Sequence, residues 1–469
     1  MYITQDGKMT TSTTIDSRWS SEFKYVLAAA GAAVGLGNLW KFPYIMGENG
    51  GGAFVLVYLF CILLIGIPVM MAEVMIGKRA RTSPANASAT VAKESGGSSI
   101  WSLLGASGVI AGSLILSFYI VIAGWAAAYI FFGISGDFLA TVGSEISHKD
   151  EIGALFTGLI TDTTQLIIWA SITIIAAMLV LIRGVTAGLE KAVTYLMPLL
   201  FILLTIIMVY AAATGDFGQA AEFMFSPDFS KLSFDGVLTA LGHAFFTLSL
   251  SSGIMMVYGA YMPEGTSIAK TSIYIAIMDT AVALIAGMAI FPIVFANGME
   301  PSAGPGLLFV SLPIAFGQMP LGSLFGTLFF IMVTFAAFTS VIALLESPVA
   351  YLNERLGLTR AKATIVAGCT IWGLSLLTVF SLSGAPWAQD VVMGLNFFDA
   401  LDKLTANIML PLAGLFTAVL VGWVVNENIT REEFALPEIA YKAVMFCLRY
   451  LSPVAIAIVF LQAVGLISL

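Results

Sequence analysis

Several polar groups interrupt runs of this sequence that are otherwise apolar. In "GAAVGLGNLWKFPYIMGENGGGAF", Gly31 to Phe54, three glycines are followed by Asn38 and Lys41. Asp279 stands alone in "SIYIAIMDTAVALIAGMAIFPIVF", His243 in "VLTALGHAFFTLSLSSGIMMVYGAY", and a Thr339–Ser340 pair in "FAAFTSVIALLESP". Carboxylate, hydroxyl, amide and free carbonyl oxygens are the ligands that hard cations take. Amide hydrogens bind anions, and an imidazole exchanges protons near neutral pH. Each group also has a plainer reading. Gly31 and Gly35 form a GxxxG pattern that serves close helix packing, a Thr–Ser pair can bond back to its own helix, a lone acid can pair with a polar neighbour, and a lone histidine can be a satisfied core residue. Packing has no need of Asn38 and Lys41, however, and such polar groups cost several kcal/mol in hydrocarbon unless they face a cavity or a partner. The first run is therefore expected to unwind near Val34 to Gly37, which is tolerated only where backbone lines a site.

The elements that must position these groups are membrane spans. Of 469 residues, 59% are hydrophobic and 10% charged, with a mean hydropathy of +0.96, where a soluble domain is about 25% charged. Runs of the length a bilayer requires, about 20 residues, recur at 24–47, 53–77, 101–133, 165–182, 192–213, 237–261, 270–297, 322–352, 362–382, 391–424 and 443–467. The expectation is an all-α polytopic membrane protein of about 11 transmembrane helices. If the spans alternate, most basic residues, including Lys78, Arg79, Arg81, Arg183, Lys191, Arg355, Arg360 and Lys362, share one side. Only Lys41, Lys149, Lys231 and Lys403 fall on the other, with acids such as Asp137, Glu145 and Asp228. The N-terminus is then cytoplasmic and the C-terminus outside. No cleavable signal is evident. Cys61, Cys369 and Cys447 all lie within spans, which leaves neither a disulfide framework nor a cysteine-rich metal site. The net charge of −8 is spread over both faces, and no nucleic-acid partner is expected.

There is no tandem repeat, but there is an echo. The first span breaks at "GLGN" and the sixth, five spans later, at "SLSSG". Paired interruptions in corresponding helices point to an inverted-repeat transporter with its site at mid-membrane. The divisions expected are a cytoplasmic tail at 1–23, a first five-helix repeat at 24–213, a second, inverted one at 237–424, and an eleventh helix at 443–467.

With the stretches "GIPVMMAEVMIG", "FFTLSLSSG" and "NFFDALDKLTANIMLPL" added to those above, the chain resembles the neurotransmitter:sodium symporter family, in particular its prokaryotic amino-acid transporters of the LeuT-type fold, a 5+5 inverted repeat with helices 1 and 6 broken. The resemblance runs from about Trp19 to the end. It implies a first sodium site at the Ala33 carbonyl, Asn38, Thr247 and Asp279, and a second at the carbonyls of Gly31, Val34 and Ala336 with the hydroxyls of Thr339 and Ser340. Most relatives have Asn at the position of Asp279, and many animal members need a chloride nearby. A fixed carboxylate can replace that chloride, so chloride-independent transport is expected. His243 matches a position, usually Gln, that lines the chloride pocket with the residues matching Tyr58 and Asp279. A His243–Asp279 pair would take up a proton when sodium leaves, giving proton countertransport.

The residue matching the amine-binding Asp of monoamine carriers is Gly35, which implies a substrate that brings its own carboxylate. By the same resemblance that carboxylate meets the amides near Leu36 and Gly37 and the Tyr119 hydroxyl, while the amine meets carbonyls of the broken helices around Ala33 and Thr247. Ala32, Ile115, Tyr119, Phe246, Ser249, Ser252, Ser340 and Leu344 are implied to line the side-chain pocket. Ser252 stands where a large residue is common, and the space it leaves suits a hydrophobic or aromatic neutral amino acid.

Lys41 and Asp402 are implied as an outer gate above a Tyr119–Phe246 lid, unless the pair is a mere rim contact worth about 0–1 kcal/mol. Trp19, Tyr261 and Glu354 match the inner gate. Its usual basic residue falls on Asp16, leaving Arg18 as the substitute. Glu73 is expected to accept amides freed by the unwound sixth helix. The function implied is sodium-coupled symport of a neutral amino acid by alternating access, with two sodium ions, in a prokaryotic inner membrane. The alternatives are a substrate sensor or sodium-conducting channel on the same fold, or a symporter of a non-proteinogenic amino acid. Neither HExxH nor GxSxG occurs, and an enzyme is not expected.

Overall fold

A hydrocarbon solvent offers no partner to backbone N–H and C=O groups, so apolar runs of this length close their own hydrogen bonds as helices. The computed structural model describes residues 18–139, 147–301, 306–392 and 394–466. The tail at 1–17 with Asp16, the loop acid Glu145 and the end of the eleventh span beyond 466 lie outside the described residues. Among the described residues, nine helices are long and apolar enough to cross a membrane. Two further runs cross in halves.

The first run is α1 (Glu22–Ala33), then a π turn (Gly37–Lys41) leading into α2 (Phe42–Glu48). The unbroken helices α3 (Gly52–Ala80), α4 (Ser99–Ser135), α5 (Thr163–Leu181) and α6 (Val185–Thr214) follow. The sixth run is α7 (Phe234–Thr247) and α8 (Ile254–Ala260). The remainder are α9 (Ile268–Ala296), α10 (Gly322–Arg355), α11 (Arg360–Leu382), α12 (Phe397–Val424) and α13 (Glu438–Ala463). Starts are marked by short polar side chains: Ser21 Oγ accepts from the Lys24 N–H and Ser233 Oγ from the Gly236 N–H, as N-caps do.

The eleven expected spans are found with shifted edges. The fifth begins at Val185 rather than 192, because the chain winds a π turn (Val185–Glu190) directly after Gly184 at φ 94°. The tenth begins at Phe397 rather than 391, because ahead of it the Val391 N–H bonds the Leu395 carbonyl at 2.8 Å in place of a helical partner. The apolar periodicity did not show either edge.

The centre of the bundle is α4 and α10, buried over 78% and 72% of their most apolar windows, whereas α13 is buried over only 22% and so lies at the lipid-facing edge. The breaks in the first and sixth runs open against this centre. At the first, α1 ends at Ala33 and Val34 turns extended (φ −66°, ψ 107°). At the second, Ser249 and Ser251 hold φ of 52° and 67°, a conformation that costs a non-glycine residue free energy and persists only where its surroundings enforce it.

Candidate functional site

Broken helices free backbone groups that must find partners, and in the first run those partners are identifiable. The Gly35 N–H donates to Asn38 Oδ1 at 3.0 Å and the Leu36 N–H to the Tyr119 hydroxyl at 3.1 Å. A Cβ on Gly35 would lie 2.5 Å from Ser340 Oγ and 2.8 Å from the Tyr119 hydroxyl, so only glycine allows this approach. In the sixth run the Ser251 N–H donates to the fully buried Glu73 of α3 at 2.7 Å, as expected of an acid beside an unwound turn.

Asn38, Thr247 and Asp279 converge from three elements. Asn38 Nδ2 donates to Asp279 Oδ1 at 2.8 Å and to its carbonyl at 3.0 Å. The Thr247 hydroxyl lies 3.1 Å from both carboxylate oxygens, and the Tyr58 hydroxyl 3.5 Å from Oδ2. Asn38 and Asp279 are wholly buried. Among the described residues no lysine or arginine forms an ion pair with this carboxylate. A buried charge without a counter-charge costs several kcal/mol, so this carboxylate favours a cation or a proton beside it.

The second group of oxygens lies where α1 ends beside α10. Thr339 Oγ1 donates to the Ala336 carbonyl at 2.9 Å, while Ser340 Oγ sits 3.4 Å from both the Ala336 and Ala32 carbonyls. Ser340 thus faces the broken helix and its own turn together. Gly31 and Val34 belong to the same end of α1 and are buried.

The expected His243–Asp279 pair is not formed. One face of α7 turns His243 onto Phe42 and Tyr58, with ring centroids 5.7 and 5.6 Å away, and Thr247, one turn later, reaches the carboxylate instead. Tyr58 stands between the two groups.

A small cavity of about 40 Å³ lies at the breaks, lined by Ala33, Gly35, Gly37, Ile115, Tyr119, Phe246, Ser249, Ser252, Ser340 and Leu344, with Leu250 and Leu410 in addition. Three expected lining residues are elsewhere. The Ala32 carbonyl accepts from Ser249 Oγ at 2.9 Å, Leu36 lines a second cavity above, and Thr247 belongs to the Asp279 cluster. The Ser252 hydroxyl is turned inward to the Ser249 carbonyl at 2.8 Å, so it offers the cavity little polarity. A volume of this size is close to one water's share of the liquid, about 30 Å³, so a larger guest requires the walls to move.

At one end, the expected Lys41–Asp402 ion pair is absent. Lys41 Nζ lies over the Phe246 ring, 4.6 Å from its centroid, a cation–π contact. Lys41 and Asp402 instead line a cavity of about 280 Å³ together with Tyr44, Tyr119 and Phe246. At the other end the bundle is closed. Trp19 is buried, its backbone N–H donates to the Tyr261 carbonyl at 3.0 Å, and its ring meets Tyr258 edge-on. The substitution of Arg18 at the inner gate does not hold either. Arg18 pairs with exposed Glu264 at 2.5 Å, and Glu354 accepts from the Ser83 N–H and from Asn86 Nδ2 at the start of the short helix Pro84–Glu94.

A closure that the sequence reading missed takes their place. Glu346, wholly buried in α10, accepts the Tyr261 hydroxyl at 2.5 Å and a two-pronged Arg360 guanidinium at 3.0 and 2.6 Å. Arg360 also donates to the Leu181 carbonyl at 2.8 Å, tying α5, α8, α10 and α11 together. An acid within a span, in "LLESP", was the available signal.

Against known proteins, a model described as "Sodium:neurotransmitter symporter family" matches residues 16–151 and 151–468. The "uncharacterized sodium-dependent transporter YhdH" of Bacillus subtilis (strain 168) is 35% identical over 96% of this chain and 98% of its own length. An "uncharacterized sodium-dependent transporter" of Haemophilus influenzae is 32% identical over 97% and 99%. Among solved structures, MhsT in complex with L-phenylalanine superposes with a TM-score of 0.86 at 40% identity, covering 95% of this chain and 99% of that one.

Proposed function

The chain belongs to the sodium:neurotransmitter symporter family, and from that premise we propose that it carries a neutral, hydrophobic or aromatic amino acid across the membrane with two sodium ions. It is an all-α, multi-pass membrane protein of the LeuT type with helices 1 and 6 broken, in a family of sodium-dependent transporters rather than enzymes. The observation that carries the reading is the convergence of Asn38 and Thr247 on the buried Asp279 carboxylate, which has no basic partner among the described residues, beside the Leu36 N–H and Tyr119 hydroxyl.

The first sodium is taken by Asp279, Asn38 Oδ1, Thr247 and the Ala33 carbonyl. Asn38 offers its NH₂ to Asp279 and its Oδ1 to the Gly35 N–H, and the second lone pair of Oδ1 serves the ion. The second sodium is taken by Thr339, Ser340 and the carbonyls of Gly31, Val34 and Ala336. The substrate carboxylate replaces the bond between Leu36 N–H and Tyr119, and the half-helix dipole favours that polarity. The apolar walls, with Ser252 turned inward, suit an apolar side chain. MhsT's bound L-phenylalanine supports that substrate class.

Asp279 stands in for chloride, and transport is chloride-independent. Proton countertransport is not part of this reading, because the His243–Asp279 pair it requires is not formed and His243 packs on Phe42 and Tyr58 instead. The two repeats run over 24–213 and 237–424, the membrane is a prokaryotic plasma membrane, the Trp19 end faces the cytoplasm and the C-terminus lies outside. Two sodium ions entering down about 100 mV and a tenfold gradient supply roughly 7 kcal/mol, enough to concentrate a zwitterion about 10⁵-fold at full coupling. The test is binding of radiolabelled L-phenylalanine to purified protein in sodium or potassium, with the other amino acids as competitors. Sodium-dependent binding displaced best by apolar amino acids is expected, and equal binding in potassium would overturn the reading.

A further inference from the structure

A chamber of about 400 Å³ lies beside the sodium cluster and apart from the small cavity at the breaks. Its walls come from Lys41 and Ile45 of the first run, one face of α7, the Ala406–Pro411 stretch of α12, and Ile456 to Ala463 of α13. Along α7 the wall residues Asp235, Leu238, Thr239, Gly242 and His243 follow the spacing i, i+3, i+4, i+7, i+8, one side of a helix. Lys41 and Phe246 form the partition, lining this chamber and the Lys41–Asp402 cavity alike.

His243 sits at the inner end. It is 3% exposed, and neither ring nitrogen has a hydrogen-bond partner among the described residues. A neutral imidazole carries one donor and one acceptor, and each buried polar group left unsatisfied costs about 1–3 kcal/mol. Water in a polar cavity is the ordinary remedy, and at about 30 Å³ each the chamber has room for on the order of ten molecules. Polar groups to hold them are present: Lys41, Thr239, Asn407 and Gln462 line the walls. The Gln462 amide donates to Asp235, which is exposed at the other end. The groups that face His243 from neighbouring elements are Phe42 and Tyr58, with Asp279 behind the Tyr58 hydroxyl and the Lys41 ammonium in the wall of the same chamber.

We propose that this chamber is filled with water and connects His243 to the medium at the Asp235 end by a route that does not pass the substrate gate. His243 then stays hydrated and reachable from that side while the lid is closed over substrate. The independence from the substrate lid rests on the symporter reading; the hydration itself does not.

The test is cysteine accessibility in proteoliposomes, with Cys61, Cys369 and Cys447 replaced by alanine. Gly242→Cys is the main probe, since a Cβ there meets nothing within 4 Å. Thr239→Cys, one turn away on the same face, serves if the first variant folds poorly. Ile122→Cys, in the wall of the Lys41–Asp402 cavity, is the control. The reagent is a membrane-impermeant cationic methanethiosulfonate, applied with and without sodium and L-phenylalanine. The chamber cysteines are expected to react at rates that substrate changes by less than about twofold, while Ile122→Cys slows by about tenfold as the lid closes. Lack of reaction at both chamber sites while Ile122→Cys reacts, or protection that parallels Ile122→Cys, overturns the proposal. No substrate effect at Ile122→Cys with the chamber sites still reactive counts against the amino-acid reading and leaves the chamber standing.

Discussion

Replacing Asp279 by asparagine removes one negative charge from the buried cluster and keeps its size. The wild-type carboxylate is held by Asn38 at 2.8 Å and Thr247 at 3.1 Å, both of which also offer oxygen to a cation. A bound sodium and this carboxylate, as opposite charges about 4 Å apart at an effective dielectric constant near 20, attract by about 4 kcal/mol. The asparagine oxygen keeps part of that attraction as a dipole. Sodium affinity should therefore fall by about 2–4 kcal/mol, or roughly 30- to 700-fold. The assay is thermal stability of the purified protein against sodium concentration. Saturation at about 100 times Kd adds roughly 2.7 kcal/mol to the wild type, and the Asp279→Asn midpoint should move to correspondingly higher sodium. Chloride should recover part of the loss in the variant and leave the wild type unaffected. An unchanged sodium midpoint in the variant, or a strict chloride requirement in the wild type, refutes the reasoning.

Other perturbations follow from the same geometry. Tyr119→Phe removes the hydroxyl that meets the Leu36 N–H; losing one hydrogen bond to a charged carboxylate, about 1.5–3 kcal/mol, should raise the substrate KM by roughly 10- to 150-fold with the fold intact. Gly35→Ala drives a methyl to within 2.5 Å of Ser340 Oγ, and should abolish substrate binding while thermal unfolding still shows a cooperative transition. Arg360→Met leaves the Glu346 carboxylate buried without its cation, a change worth about 3–5 kcal/mol in a buried pair, here nearer the lower end because the Arg360 side chain is 24% exposed. Reactivity of a cysteine at Trp19 toward a thiol reagent should rise in that variant, and unchanged reactivity would show that the pair is not a closure.

The breaks were legible because "GLGN" and "SLSSG" place glycine, serine and asparagine where lipid-facing helix has no use for them, and α1 indeed ends at Ala33 and α7 at Thr247. The meeting of Asn38, Thr247 and Asp279 was anticipated through the family resemblance, since spacing alone cannot bring residues 38, 247 and 279 together. Side-chain direction was harder to read. Lys41 turns to the Phe246 ring rather than Asp402, and His243 turns to Phe42 and Tyr58 rather than Asp279. Helix phase and nearby rings decide such choices. The Arg360–Glu346–Tyr261 closure joins residues from three helices. Only the lone acid of "LLESP" hinted at it, and an acid in a span does not announce its partner.

The most direct test of the central claim is accumulation. Purified protein in liposomes, given an inward sodium gradient in chloride-free buffer, is screened for uptake of each of the twenty amino acids. The account predicts uphill accumulation of apolar or aromatic amino acids that collapses when the sodium gradient is dissipated. Equal uptake with and without the gradient, or no accumulation of any amino acid by protein that still binds sodium, would contradict it.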